Sequence, residues 1–379
     1  MDDDEGPSPI IIDNGSSLCR VGFAGEEAPR DSMSCVIGRP KYPYAMPTDL
    51  ARFETYIGDA AMTKRGMLAL SHPITRGVVT DWDGMERIWD YSLTSMLRVD
   101  PTEHNVIITD AALNPRRNRE RIVETIFESF GVPGALTAMP NFLEILAIGR
   151  HCAMIIDIGE GCTTIAPIMG NIIIGPAVLR IDLGGTDLTE YLQRLLLYRG
   201  HRLMTSASRE IVREIKQALC YVSPDYEYEL NAPSNDLEAT YDLPDGQVIT
   251  LGEERFQCAE VLFQPSLIDH AGLTELVLQS LAKCAIDDRR DFLNNIFLAG
   301  GTSDLPGIAP RLERELTEAL KTTKRIHVHA PPKDTHGALA WIGGSIAGSL
   351  STTVQEWITR QEYDEIGPAI AHRKNFQNK

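Results

Sequence analysis

The sequence has no C-x-x-C pair, no low-complexity linker, no basic excess, and no apolar run near the ~20 residues that a membrane span needs. Each absence excludes something. The seven cysteines (Cys19, Cys35, Cys152, Cys162, Cys220, Cys258 and Cys284) are dispersed, which reads as reduced thiols, not a disulfide framework. The opening "MDDDEGPSP" is acidic and has no apolar segment of the secretory type, so no leader is expected and a cytoplasmic or nuclear setting is. A net charge of −17 and a pI near 5.0 argue against a general nucleic-acid binder. The 379 residues exceed one ordinary core, so two domains or one large duplicated domain are expected.

What is present is a phrase written twice. "IIIDNGSS" (Ile10 to Ser17) and "MIIDIGEG" (Met154 to Gly161) are each an apolar run, an Asp, one further residue, a Gly and a short turn. The first continues as "LCRVGFAG", predicting a hairpin at an Asn-Gly turn, and the second continues as "CTTIAPIMGNIIIG". Between them, "HNVIITDAALNP" reads as a buried strand and a loop, while "MERIWDYSLTSML" and "RNRERIVETIFESFG" have helical spacing. The second half offers a helix in "REIVREIKQALCYV", a strand with a Gly-Gly turn in "NNIFLAGGTSDLPGI", and a small-residue helix in "WIGGSIAGSLST". Strands and helices repeated in this order indicate an α/β class. Boundaries are expected at Gly149-Arg150 and near His336 to Trp341, with the C-terminus returning to the first domain.

A strand tipped by Asp and followed by a Gly-rich turn suits one task. Backbone N–H groups of such a turn converge on phosphate oxygens, and the carboxylate supplies oxygen to Mg²⁺ or Ca²⁺. Two facing hairpins would grip a triphosphate from both sides. Asp13 and Asp157 are then the metal ligands, Ser16 and Ser17 cradle phosphate from one side, and Gly159, Glu160, Gly161, Cys162 and Thr163 do so from the other. The turn "LAGGTSD", with Gly300, Gly301 and Thr302, adds a third loop of this kind.

Over nearly its whole length the chain resembles the actin family. The matching stretches include "DNGSSLCRVGFAGEEAPR", "DWDGMERIW", "NPRRNRER", "LPDGQVITLGEERFQCAE", "AGGTSDLPGIAPRLERE" and "QEYDEIGPAIAHRKNF". The resemblance implies the duplicated actin/hexokinase/Hsp70-like ATPase fold, with two lobes around a cleft for ATP or ADP and a divalent cation. The first lobe would span residues 1–149 plus 339–379, with an outer insertion at about 35–72. The second would span 150–338, with an insertion at about 184–262. It also implies cytoplasmic, cytoskeletal filaments made by self-association, and actin-binding proteins in a groove near Ile346 and Leu350. Basic motor loops would meet the acidic N-terminus. Carried over by position, Gly15, Leu18 and Arg20 join the phosphate and metal site, with Arg20 standing where the family has lysine. Gly185, Arg213, Lys216, Gln217, Gly301 and Leu305 would surround the nucleoside. Gln217 replaces a glutamate there, and Leu305 replaces an aromatic ring.

The larger departures concern hydrolysis. The family's glutamine and histidine that organise the attacking water fall on Pro140 and Thr164. Proline has no side-chain donor or acceptor and no N–H, and a threonine hydroxyl is no base near neutral pH. Slow hydrolysis is therefore expected, with Asn141 and Glu144 as candidate substitutes. Surface departures are expected in the proline-bearing loop from Arg39 to Tyr56, in "FQPSLIDHAGLTE", and at Thr353 and Glu356 in the groove. The alternatives are a non-polymerising actin-related subunit that uses ATP structurally and, from another class, a small-molecule kinase of the same fold. Two further signals are discounted: "HVHA" as a partly exposed strand and not a metal site, and "RRNRER" as a solvated helix start.

Overall fold

Ile10–Asn14 and Leu18–Phe23 pair antiparallel, placing Asp13 opposite Arg20. Cys152–Ile158 and Thr163–Met169 repeat the arrangement, placing Asp157 opposite Thr164. These hairpins are central to two separate sheets of a computed structural model that describes residues 6–41, 55–231, 237–264, 271–323, 326–330, 335 and 337–374. In the first sheet the strand order is Ile358–Thr359, Gly134–Ala138, Val106–Thr109, Ile10–Asn14, Leu18–Phe23, Asp31–Ser34. In the second it is Ile172–Ile173, Thr163–Met169, Cys152–Ile158, Ile296–Ala299, Val328–His329, with Leu179–Ile181 also on Thr163–Met169.

The two sheets share one plan. Each Asp-tipped strand is antiparallel to its hairpin partner on one side and parallel to a later strand on the other, Val106–Thr109 or Ile296–Ala299. Strands flanked in this way are buried on both faces, which is why Ile10, Ile11 and Ile12 have no exposed surface and the phrase is continuously apolar. One core gathers Ile12, Val21, Trp89, Ile108 and Phe127. Another gathers Ile156, Leu188, Ile215, Phe292 and Leu312 around the second sheet. The fold is thus two lobes of mixed α/β structure.

Two helices join the lobes. Pro140–Ala147 leads from the first sheet into the second, and Leu339–Ser349 returns. The expected close approach of a small-residue helix occurs here: a methyl group on Gly343 would fall onto the Leu143 carbonyl oxygen. Because the obstacle is backbone, Gly343→Ala is expected to destabilise the protein by about 2–3 kcal/mol, read as a lower denaturant midpoint. Trp341, fully buried, donates from Nε1 to the Ile11 carbonyl at 3.3 Å and ties the returning helix to the first sheet.

Other elements follow their sequence signals with shifted ends. The helix expected from Arg117 runs Arg116–Glu128, and Gly131 beyond it takes φ +65°. The helix expected over Arg209–Val222 is Ser206–Leu219, because Thr205 caps it by accepting the Ser208 N–H at 3.1 Å. Tyr56–Ile57, Ile37–Pro40 and Leu68–Ser71 make a small sheet of their own on the first lobe. Between Leu179–Ile181 and Leu273–Ala282 the second lobe carries further helices and the hairpin Ala239–Asp242 with Val248–Leu251. No described helix is long and apolar enough to cross a membrane.

Candidate functional site

A cavity of about 420 Å³ opens between the lobes, and both Asp-tipped turns line it. From the first come Asp13, Asn14, Gly15, Ser16, Ser17, Leu18 and Arg20. From the second come Asp157, Gly159, Glu160, Gly161, Cys162 and Thr164. Gly300, Gly301, Thr302 and Leu305 enter from the third turn, and Arg213, Lys216 and Gln217 from one helix. Pro140, Asn141 and Glu144 come from the helix between the lobes. Residues scattered across nearly three hundred positions of sequence therefore converge on one cleft.

Two expected residues do not line it. Thr163 points behind the turn, where its hydroxyl donates to the Leu183 carbonyl at 2.7 Å. Gly185 opens the helix Gly185–Tyr198 behind Glu160, and its carbonyl accepts from Lys216 Nζ at 2.6 Å. Thr163 faces away because alternate residues of a strand face opposite ways, whereas Gly185 stands at a helix start, packed close against Glu160, Thr302 and Lys216. The groove expectation is also corrected at one position: Thr353 is buried and its hydroxyl is bonded to the Ala347 carbonyl, so it presents no polar surface there. Ile346 and Leu350 are exposed at 38% and 43%. Residues 1–5, 42–54 and 265–270, and with them most of the altered loop and nearly half of the shortened plug, lie outside the described residues.

The electrostatics centre on three carboxyl groups. Asp13 Oδ2 accepts from Arg20 Nη1 at 3.3 Å and Oδ1 accepts from the Thr109 hydroxyl at 3.2 Å. Thr109 in turn accepts the Asn14 N–H at 2.7 Å, holding the turn against the neighbouring strand. Burial still raises the Asp13 carboxyl above its usual range, against the pull of Arg20. Asp157 is pushed up to about 7, first by removal from water and then by the Asp13 charge. Glu144 is raised well above its ordinary value by burial, then by Asp157 and Asp13. Gly300, at φ +81°, makes room for this: a Cβ there would collide with Asp157 Oδ1. A divalent cation between the aspartates would relieve their repulsion, so the donor set fits one with oxygen preference.

Pro140, Asn141, Glu144 and Thr164, the residues expected to bear on hydrolysis, all line the cleft. Pro140 is the first residue of its helix, a position that needs no N–H. Asn141 and Thr164 bond to each other reciprocally, at 3.0 and 3.1 Å. Thr164 holds the place in its hairpin that Arg20 holds in the first, but its hydroxyl turns to Asn141.

Sequence reasoning missed the latch across the cleft mouth. Arg76 and Gly77, both with positive φ, form the tight turn between Ile74–Thr75 and Val78–Val79. From this strained position the Arg76 guanidinium pairs with both oxygens of Asp187 and reaches the Gly161 carbonyl. Arg180 donates to the Arg76 and Ala112 carbonyls, and Arg213 Nη1 donates to Ser17 Oγ at 2.7 Å. Nothing in local spacing links residues so far apart. Elsewhere, Arg119 of the basic helix start pairs with Asp110, and the Arg121 guanidinium lies over the Trp82 ring. His327 and His329 stack with ring centres 5.8 Å apart, and no group of three metal-ligating side chains occurs among the described residues.

Duplicated hairpins facing across a cleft, with acidic tips and Gly-rich turns, define the class of two-lobed nucleotide-cleft ATPase folds. Within that class, a protein-family model described as Actin matches residues 4–376. The chain belongs to the actin family.

Proposed function

We propose that this protein binds ATP or ADP with a divalent cation in the inter-lobe cleft, assembles into actin-like filaments, and hydrolyses ATP slowly. The observation that carries the reading is the meeting of Asp13 and Asp157, from equivalent strands of two lobes, in one cavity with three Gly-rich turns. In this reading Asp13 and Asp157 hold the cation, which offsets phosphate charge when bound. The turns Gly15–Ser17 and Gly159–Cys162, with Arg20, hold the phosphates, and Arg213, Lys216, Gln217, Gly301, Thr302 and Leu305 enclose the nucleoside. The lobes would be 1–149 with 339–379, and 150–338. Hydrolysis is weakened because Pro140 and Thr164 stand at the water-organising positions. The setting would be cytoplasmic and cytoskeletal.

Filament assembly is tested by sedimentation and negative-stain microscopy with Mg-ATP. Filaments support the reading, and a strict monomer at high concentration sinks its polymer half. The latch gives a further expectation. A bidentate pair half-shielded from water contributes about 1 kcal/mol, so Arg76→Ala should speed release of a fluorescent ATP analogue roughly three- to tenfold. Stopped-flow displacement by unlabelled ATP measures this, with Arg76→Lys falling between.

A further inference from the structure

Pro140 takes away the side chain at the water-organising position, yet Glu144 lies one turn further along the same helix and lines the same cleft. Residues four apart share a helix face. The Glu144 side chain is almost wholly buried, at 3% exposure, and its Oε2 has no hydrogen-bond partner in the protein. A buried carboxyl oxygen left without a partner destabilises a fold, so its retention asks for a use. The other polar side chain on this face of the cleft, Asn141, is already committed to Thr164 through both atoms of its amide.

We propose that Glu144 holds the water that attacks the terminal phosphate and so supports the turnover that remains. The proposal rests on the nucleotide reading above. In the step, the water oxygen bonds to the terminal phosphorus as the bond from that phosphorus to the bridging oxygen breaks. The electron pair leaves with the nucleoside diphosphate, and the water proton ends on the released phosphate. Glu144 accepts a hydrogen bond from the water and fixes its approach; a carboxyl has an accepting oxygen in either charge state, so no proton need stay on it.

The test uses the full chain with Mg-ATP, comparing wild type, Glu144→Ala and Glu144→Gln in single-turnover phosphate release. Alanine is expected to slow release by about tenfold or more, because orientation of the water is lost. Glutamine, which keeps an acceptor at the same reach, is expected to stay within about threefold. Two readouts independent of turnover accompany it. Affinity for a fluorescent ATP analogue should change less than about threefold in either variant, since Glu144 is assigned to water and not to nucleotide. Melting temperature should hold or rise by about 1–3 °C, because an unpartnered buried carboxyl has been removed.

Release by Glu144→Ala at the wild-type rate overturns the proposal, as does wild-type release no faster than background. A variant that binds tenfold more weakly with release unchanged once bound assigns Glu144 to the cation instead, and a fall of several degrees in melting temperature with unchanged release makes it structural. Glutamine as slow as alanine replaces water-holding with proton transfer. Failure of the wild type to bind nucleotide at all removes the underlying reading, and is seen before any hydrolysis is measured.

Discussion

Replacing Pro140 with glutamine and Thr164 with histidine is expected to raise single-turnover phosphate release by about 10²-fold or more. The expectation comes from where the two side chains sit. Pro140 opens the inter-lobe helix and lines the cleft, and a glutamine fits the first helical turn without breaking a backbone hydrogen bond. Thr164 stands opposite Asp157 in the hairpin, with its hydroxyl engaged by Asn141. A histidine there places a group that can exchange protons near neutral pH beside the cleft, and frees Asn141. Each single change should give less than the square root of the double effect, because residues that hold one water act together. A double variant that binds nucleotide normally and hydrolyses no faster would contradict the account of slow turnover.

The second large effect concerns pH. Asp157 titrates near 7 in the cation-free fold, from an ordinary 3.8, so between these values the folded chain holds a proton that the unfolded chain has lost. Stability of the cation-free protein therefore falls as pH rises through this window, and Glu144, also raised by burial, adds to the fall. Each tenfold change in proton affinity is about 1.4 kcal/mol, so the loss amounts to several kcal/mol. Cation binding runs the other way, since it needs both aspartates ionised: stabilisation by added Mg-ATP should grow from pH 5 to 7 and then stay constant. Asp157→Asn should flatten the first trend and remove most of the second. Thermal denaturation across pH with and without Mg-ATP measures both, and a cation-free protein whose stability is flat from pH 4 to 7 would contradict the burial of this carboxyl beside Asp13.

Much of the cleft was legible because its residues sit in short local patterns. "IIIDNGSS" and "MIIDIGEG" declare their strands by apolar continuity and their turns by Gly, and the two hairpins form where these patterns place them. Gly343 was legible for the same reason, since small residues in a helical run have few uses besides close approach. Thr163 turns to the Leu183 carbonyl because a family position does not say which way a strand residue faces, and Gly185, at a helix start, offers only its backbone. Thr109 and Arg76 were invisible: each acts through a partner remote in sequence, Asp13 for one and Asp187 for the other. The choice between Asn141 and Glu144 also needed coordinates, because only packing shows that Thr164 occupies the amide and leaves the carboxyl oxygen unpaired.

The central claim is that one cation-bound triphosphate is held jointly by Asp13 and Asp157 across the lobes. Equilibrium titration of a fluorescent ATP analogue, with Mg²⁺ or with chelator, tests it in wild type, Asp13→Asn and Asp157→Asn. Saturable binding that needs the cation, and weakens by about 10²-fold when either aspartate is neutralised, is the expected result. Binding that ignores both the cation and the two substitutions, or no binding at all, would contradict it.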